Sequence, residues 1–356
     1  MFSHVRVEAS NDVPPADERT IDVAILDMYH GWPNLGHDSL VHLVREASCD
    51  LMPQLRRAGL LVRAVSYEVR RRCMLPEPPG GRFALYLGTG GPGHPDPRLN
   101  DGVSAGTQGV RENPAWEAQL FALFDAIRSD KNAALLAVCH TFEVMCRWCG
   151  IARPVLRGPS KGGKSSGVKE NVLTPEALDH PWFARLAADS SLGRRIRIYD
   201  SRYFDMIPET HSGRNGVVRI AHEGLRRNAL PEAALTMIEI ARDPGGLIPR
   251  VFAVNHHPEI VDRARERMIL EQKYAEGDVA DDWYDERKRM LTQTYPGENS
   301  ERLLHLTSIY TLVAPLRFYL YRQIRQRSEA LGFQLEVHEK EVETFGRRPT
   351  VPRVSG

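Results

Sequence analysis

The chain has 356 residues, of which 42% are hydrophobic and 26% charged, enough for one large domain or two modest ones around a substantial core. Its 47 basic and 46 acidic residues leave a formal charge of +1, which excludes the strongly basic surface of a polyanion binder. No apolar run of about 18 residues marks a membrane span, so neither nucleic acid nor membrane is expected as a partner.

The first twenty residues, MFSHVRVEASNDVPPADERT, are polar, carry two prolines and lack an apolar signal core. They read as a flexible N-terminus. IDVAILDMY (21–29) is a short β-branched apolar run, the pattern of a buried strand. After a turn-rich loop, LVHLVREASCDLMPQLRRAG has helical periodicity and stops at Gly59. LLVRAVSYEV is a second strand. FALYLGTGGPG (83–93) is a third, running into a glycine-rich turn. NPAWEAQLFALFDAIRSDK is an amphipathic helix opened by Asn113 and Pro114. AALLAVC is a fourth strand, and HTFEVMCRWCG a helix closed by Gly150. This alternation predicts a doubly wound, mostly parallel α/β sheet covered by helices on both faces. Active sites in such folds lie at the carboxyl ends of the strands. Residues 151–250 read as shorter strands and loops, with AALTMIEIAR and PRVFAVNHHPE as a closing pair. From Ile260 onward the character is helical. The predicted organisation is a flexible segment 1–20, an α/β domain over 21–262, a helical extension over 263–333 and a charged tail over 334–356.

Cys139 lies where the fourth strand meets its helix. A sharp strand-to-helix turn exposes its central side chain and aims backbone N–H groups at its target. A helix N-terminus also favours a thiolate. Free cysteines are more often small buried residues, so this stretch alone leaves nucleophile and buried thiol both open. A nucleophilic cysteine needs a base, and the base an orienting acceptor. NHHPE (255–259) supplies His257 and Glu259, two apart at a strand end, with Pro258 rigidifying the link. The cysteine turn, the His-Pro-Glu segment and the GTGGPG strand end together form a specific combination.

In these motifs, from about residue 21 to 262, the sequence resembles the class I glutamine amidotransferases. The resemblance implies a flavodoxin-like α/β fold with a Cys-His-Glu triad. Cys139 falls on the nucleophile, His257 on the base and Glu259 on the orienting carboxylate. GGPGHP (90–95) matches the family's oxyanion turn, so Gly91 and the N–H of His140 would bind the oxyanion, with Gly90 and Gly93 beside the substrate. RIYDSRY (197–203) falls where relatives contact the polar end of glutamine, which makes Asp200 and Ser201 pocket candidates. The family elbow is Gly-x-Cys-x-Gly-x-Gln; here it is Ala137-Val-Cys139-His-Thr141-Phe-Glu143. Thr141 sets a β-branched side chain where close approach is expected. Glu143 sets a carboxylate near the pocket, able to repel a substrate carboxylate or receive an ammonium or guanidinium. The implied activity is hydrolysis of an amide, glutamine foremost, through a thioester, with ammonia passed to a separate synthase subunit. The alternatives are a hydrolase or acyltransferase acting on another amide or thioester, and a non-catalytic binding protein. No cofactor and no metal are expected.

GPSKGGKS (158–165) fits the phosphate-loop pattern, but Gly167, β-branched residues and Pro175 follow it, against the helix that loop requires. A surface loop or hairpin is expected there. Cys146 and Cys149 form a C-x-x-C without a second ligand pair, and are expected to pack in the core. The cysteines number five and no export signal is seen, which points to reduced thiols in a cytoplasm. The long segment 94–115 follows the oxyanion turn and is a candidate lid. The aromatic stripe of Trp283, Tyr284, Tyr310, Phe318, Tyr319 and Tyr321 is expected to pack on the sheet or to form a homodimer through the C-terminal helices.

Overall fold

The computed structural model describes residues 2–159, 163–209, 216–224, 233–292 and 299–334. In chain order the strands are β1 (Phe2–Val7), β2 (Thr20–Asp27), β3 (Leu61–Glu68), β4 (Phe83–Gly88), β5 (Ala134–Val138), β6 (Ala152–Leu156), β7 (Ser165–Leu173), β8 (Arg195–Arg202), β9 (Phe204–Pro208), β10 (Val218–Glu223), β11 (Leu235–Arg242) and β12 (Pro249–Val254). The helices are α1 (Gly36–Asp50), α2 (Met52–Ala58), α3 (Val69–Arg72), α4 (Ala115–Ser129), α5 (His140–Cys149), α6 (Pro175–Asp179), α7 (Pro181–Asp189), α8 (Arg263–Ala275), α9 (Asp281–Thr292), α10 (Ser300–Ser308) and α11 (Ala314–Ala330). One sheet runs β1-β3-β2-β4-β5-β12-β11-β10-β7-β8, with β9 and β6 continuing from β11. The pairs from β1 to β12 are parallel. From β12 onward the pairs are antiparallel, so the expected parallel sheet carries an antiparallel continuation.

The parallel strands are apolar on both faces because helices cover both. In β2, Ile21, Val23 and Ile25 enter one core with α1, α2, α7 and α11. Ala24 and Leu26 enter the other, with α4 and α5. The same alternation splits Leu136 and Val138 from Leu135 and Ala137 in β5, and Phe252 and Val254 from Val251 and Ala253 in β12. Each fully buried aliphatic or aromatic side chain contributes about 1.5–3 kcal/mol, so a register slip in these strands is costly. The register Leu26↔Gly88, Gly88↔Ala137 and Val138↔Val254 brings the carboxyl ends of β2, β4, β5 and β12 side by side.

Two expectations change. Phe2–Val7, within the segment read as flexible, pairs with β3 from Phe2↔Val62 to Val7↔Tyr67. The sheet edge, with unpaired N–H and C=O groups, captures it. The run Ser300–Ala330 contains an 18-residue window with mean hydropathy 1.2, long and apolar enough to cross a membrane, yet 67% of that window is buried in the protein. A short π-helical stretch, Ile309–Val313, joins its two α-helices. Tyr310, Leu312, Leu316, Tyr319, Leu320 and Ile324 pack into the core shared with β2, β4, β5 and β12. With Tyr321 in the same core and Phe318 packed against it, four of the six stripe aromatics are accounted for within the chain itself. The phosphate-loop-like segment includes 160–162, outside the described residues, and at Ser165 it opens strand β7, not a helix. The tail from 335 is likewise outside them. Cys146 and Cys149 form no disulfide and are buried in the second core.

Candidate active site

Cys139 is the sole residue between β5 and α5. It turns the chain with φ 47° and ψ −108°, in a region L-residues seldom occupy, at a cost of about 1–3 kcal/mol. Neighbours impose this turn. Cys139 N donates to Val254 O at 2.8 Å, Thr141 N to Thr89 O at 3.3 Å, and Glu143 N to Cys139 O at 3.0 Å. The strained residue is therefore pinned by β12, by the end of β4 and by its own helix.

His257 follows β12, and its N–H donates to Tyr199 O at 2.9 Å. Its Nδ1 bonds Glu259 Oε1 at 2.8 Å, which leaves Nε2 for the cavity that His257 and Cys139 both line. Glu259 is fully buried. Its carbonyl accepts from Arg265 Nη2 at 2.5 Å, and the Pro258 carbonyl accepts from Ser308 Oγ at 2.5 Å. Burial opposes charge on His257, but Glu259 and Cys139 outweigh it and hold the imidazole pKa well above its ordinary value. Burial raises the Cys139 thiol, with His257 pulling against it. The neighbouring His256 is buried, and desolvation followed by the His257 charge lowers it to about 3, so it stays neutral.

A cavity of about 340 Å³ lies in front of Cys139, with Gly91, Gly93, Glu143, Ser201 and His257 among its walls. Gly90 touches the reacting groups most closely. A Cβ there would lie 3.1 Å from Tyr29 Oη, 3.2 Å from His257 Cε1 and 3.4 Å from Cys139 Cβ. Gly91 packs on the Met28 carbonyl, and Gly93 holds φ +89° against Asn100 and Arg70. The Cys139 thiol lies 4.0 Å from Ser201 O. His140 has a buried ring, and burial followed by Arg70 lowers its pKa well below the ordinary value. Its backbone N–H opens α5 directly after Cys139, where helical N–H groups have no intrahelical acceptor. Glu143 is buried in the cavity wall, 3.6 Å from His140 Nδ1. Burial raises it to about 8, with Arg202 opposing, so it is mainly protonated at neutral pH.

Two candidates are turned away from the cavity. Thr141 donates through Oγ1 to Thr89 O at 2.6 Å, and its methyl group fills the space a side chain at Gly88 would take. Asp200 accepts from Ser165 Oγ at 2.6 Å and pairs with Arg202 Nη1 at 3.0 Å, fully buried. Within the candidate lid, Gln108 reaches the cavity. Residues the sequence did not assign to the site also line it: Tyr29 beyond β2, Lys164 of the phosphate-loop-like segment, and Trp283 and Arg287 on α9. Tyr29 was open to sequence reasoning as the residue past a parallel strand's carboxyl end. The α9 pair had no such signal.

No protein-family model and no curated protein matches the sequence. Among solved structures, the chain is similar to a glutamine amidotransferase from Thermotoga maritima (14% identity, TM-score 0.42, covering 87% of this chain and 98% of that one). It is also similar to a glutamine amidotransferase from Methylobacillus flagellatus (13%, 0.41, 90% and 98%). A third similarity is to the glutaminase domain of Trypanosoma brucei CTPS with bound acivicin (12%, 0.38, 67% and 86%).

Proposed function

We propose that the protein is a cysteine-dependent amidotransferase or amidohydrolase, with glutamine as the leading substrate. The observation that carries this reading is buried Glu259 bonded to His257, which lines one cavity with Cys139 at its strained elbow. The Cys139 sulfur attacks the amide carbonyl carbon, and its proton goes to His257 Nε2. The N–H groups of Gly91 and His140 hold the oxyanion. When the tetrahedral intermediate collapses, His257 protonates the leaving nitrogen and a thioester remains. Water then adds to the thioester carbonyl, His257 takes the water proton, and the carboxylic acid departs as the proton returns to sulfur. Glu259 keeps the imidazole in the orientation both halves need. The reactive pair is thiolate with imidazolium, reached when the coupled Cys139–His257 pair loses one proton. Ammonia released in the first half passes to a separate synthase subunit in this reading.

The protonated Glu143 in the cavity wall favours a second reading, the same chemistry on another amide or thioester. It offers a hydrogen-bond donor without a charge to receive an ammonium group. Both readings are tested together. Glutamate release from glutamine is measured beside Cys139→Ala, and acyl-cysteine is sought by intact mass across a panel of amides and thioesters. The expected result is an adduct on Cys139 that the variant loses completely. Adducts with other acyl donors but not with glutamine would move the function to the second reading, and no adduct with any donor would overturn both.

A further inference from the structure

Besides His257, the cavity in front of Cys139 is lined by three lysine and arginine side chains of unequal standing. Arg202 is committed: Nη1 pairs with Asp200 at 3.0 Å, Nη2 with Glu223 at 3.1 Å and Nε with Asp205 at 3.3 Å. Lys164 and Arg287 have no carboxylate partner within ion-pair distance among the described residues. Each is held by an aromatic ring instead: Lys164 Nζ lies 5.1 Å from the Tyr203 ring centroid and Arg287 Cζ 5.3 Å from that of Trp283. Rings steady a cation without neutralising it. Lys164 is partly buried, and burial followed by the nearby Arg287 charge lowers its pKa, as two like charges facing one space require. Both cations line the same cavity as Tyr29 and Cys139. Glu286 reaches the same rim, but it is exposed.

We propose that Arg287, carried by α9, and Lys164 form a subsite for an anionic group at the far end of the substrate, so that this enzyme acts on amides bearing a carboxylate. The inference rests on the reading of Cys139 as nucleophile and adds the element that selects the substrate. An unneutralised pair in a partly desolvated cavity attracts an anion more strongly than it would in water, and the planar guanidinium matches a carboxylate in two-point geometry. The protonated Glu143 in the same cavity lining does not repel that anion.

The test uses two alkylating agents of equal size, iodoacetate and iodoacetamide, on the full-length chain. Each forms a carbon–sulfur bond with the Cys139 thiolate and releases iodide. Labelling is mapped by peptide mass, with exposed Cys49 as internal reference. The readout is the iodoacetate-to-iodoacetamide rate ratio at Cys139 divided by that at Cys49. Any change in thiolate fraction affects both reagents and cancels. The ratio is expected to be about tenfold above unity, equivalent to about 1.4 kcal/mol of charge attraction. It should fall several-fold in Arg287→Ala and in Lys164→Gln, and persist in Arg287→Lys. A ratio near unity with rapid iodoacetamide labelling removes the subsite and leaves the nucleophile standing. A ratio that Arg287→Ala does not change overturns the role of α9. Slow labelling by both reagents overturns the nucleophile and the subsite together.

Discussion

Thr141 and Gly88 illustrate how a departure in one motif is absorbed by a neighbour. The elbow lacks the glycine two residues after its cysteine, yet the crowding expected at the pocket does not arise. Gly88 on β4 leaves room for the threonine methyl, and Thr89 accepts its hydroxyl. The small residue of this contact sits on β4 and the branched one on α5. Gly90 has no such relief, because a Cβ there meets Tyr29, His257 and Cys139 together. Gly90→Ala is expected to slow iodoacetamide labelling of Cys139 and amide turnover by about 100-fold, the usual cost of displacing a reacting group by about 1 Å, with little change in melting temperature. A variant that keeps wild-type rates would show that the turn yields to the added methyl group.

Among the elements, α8 and α10 hold the loop after β12 that carries His257 and Glu259. Asp262 caps α8 by accepting from Ala264 N and Arg265 N. That places Arg265 to bind the Glu259 carbonyl at 2.5 Å and Glu46 at 3.0 Å, while Ser308 on α10 binds the Pro258 carbonyl. The helices after residue 262 thus hold the segment of His257 and Glu259 in place. Arg265→Ala is expected to cost about 2 kcal/mol of stability, as loss of buried hydrogen bonds from a charged donor does, and to reduce Cys139 alkylation at a temperature where the variant remains folded. Lower stability with unchanged alkylation would make Arg265 a structural residue only.

For the molecule as a whole, Glu143 links the site to stability. Its folded pKa, about 8, lies above the ordinary value of 4.5. Its contribution is therefore fully present below about pH 4.5 and is lost as pH rises toward 8, because the unfolded chain releases the proton first. Glu143→Gln has no proton to release, so its melting temperature relative to wild type should be higher by a few degrees at pH 8 than at pH 5. Equal differences at the two pH values would refute the assignment. Much of this architecture was legible in the amino-acid order. Strands, helices, the elbow at Cys139 and the His257–Glu259 pair follow local rules of periodicity, turn chemistry and two-residue spacing on one strand end. The capture of Phe2–Val7 by an open sheet edge, the burial of 300–330 in the shared core, the redirection of Thr141 and Asp200, and the arrival of Lys164 and Arg287 before Cys139 do not. Each depends on which distant surfaces meet, and packing between segments far apart in the chain leaves no periodic trace in either one.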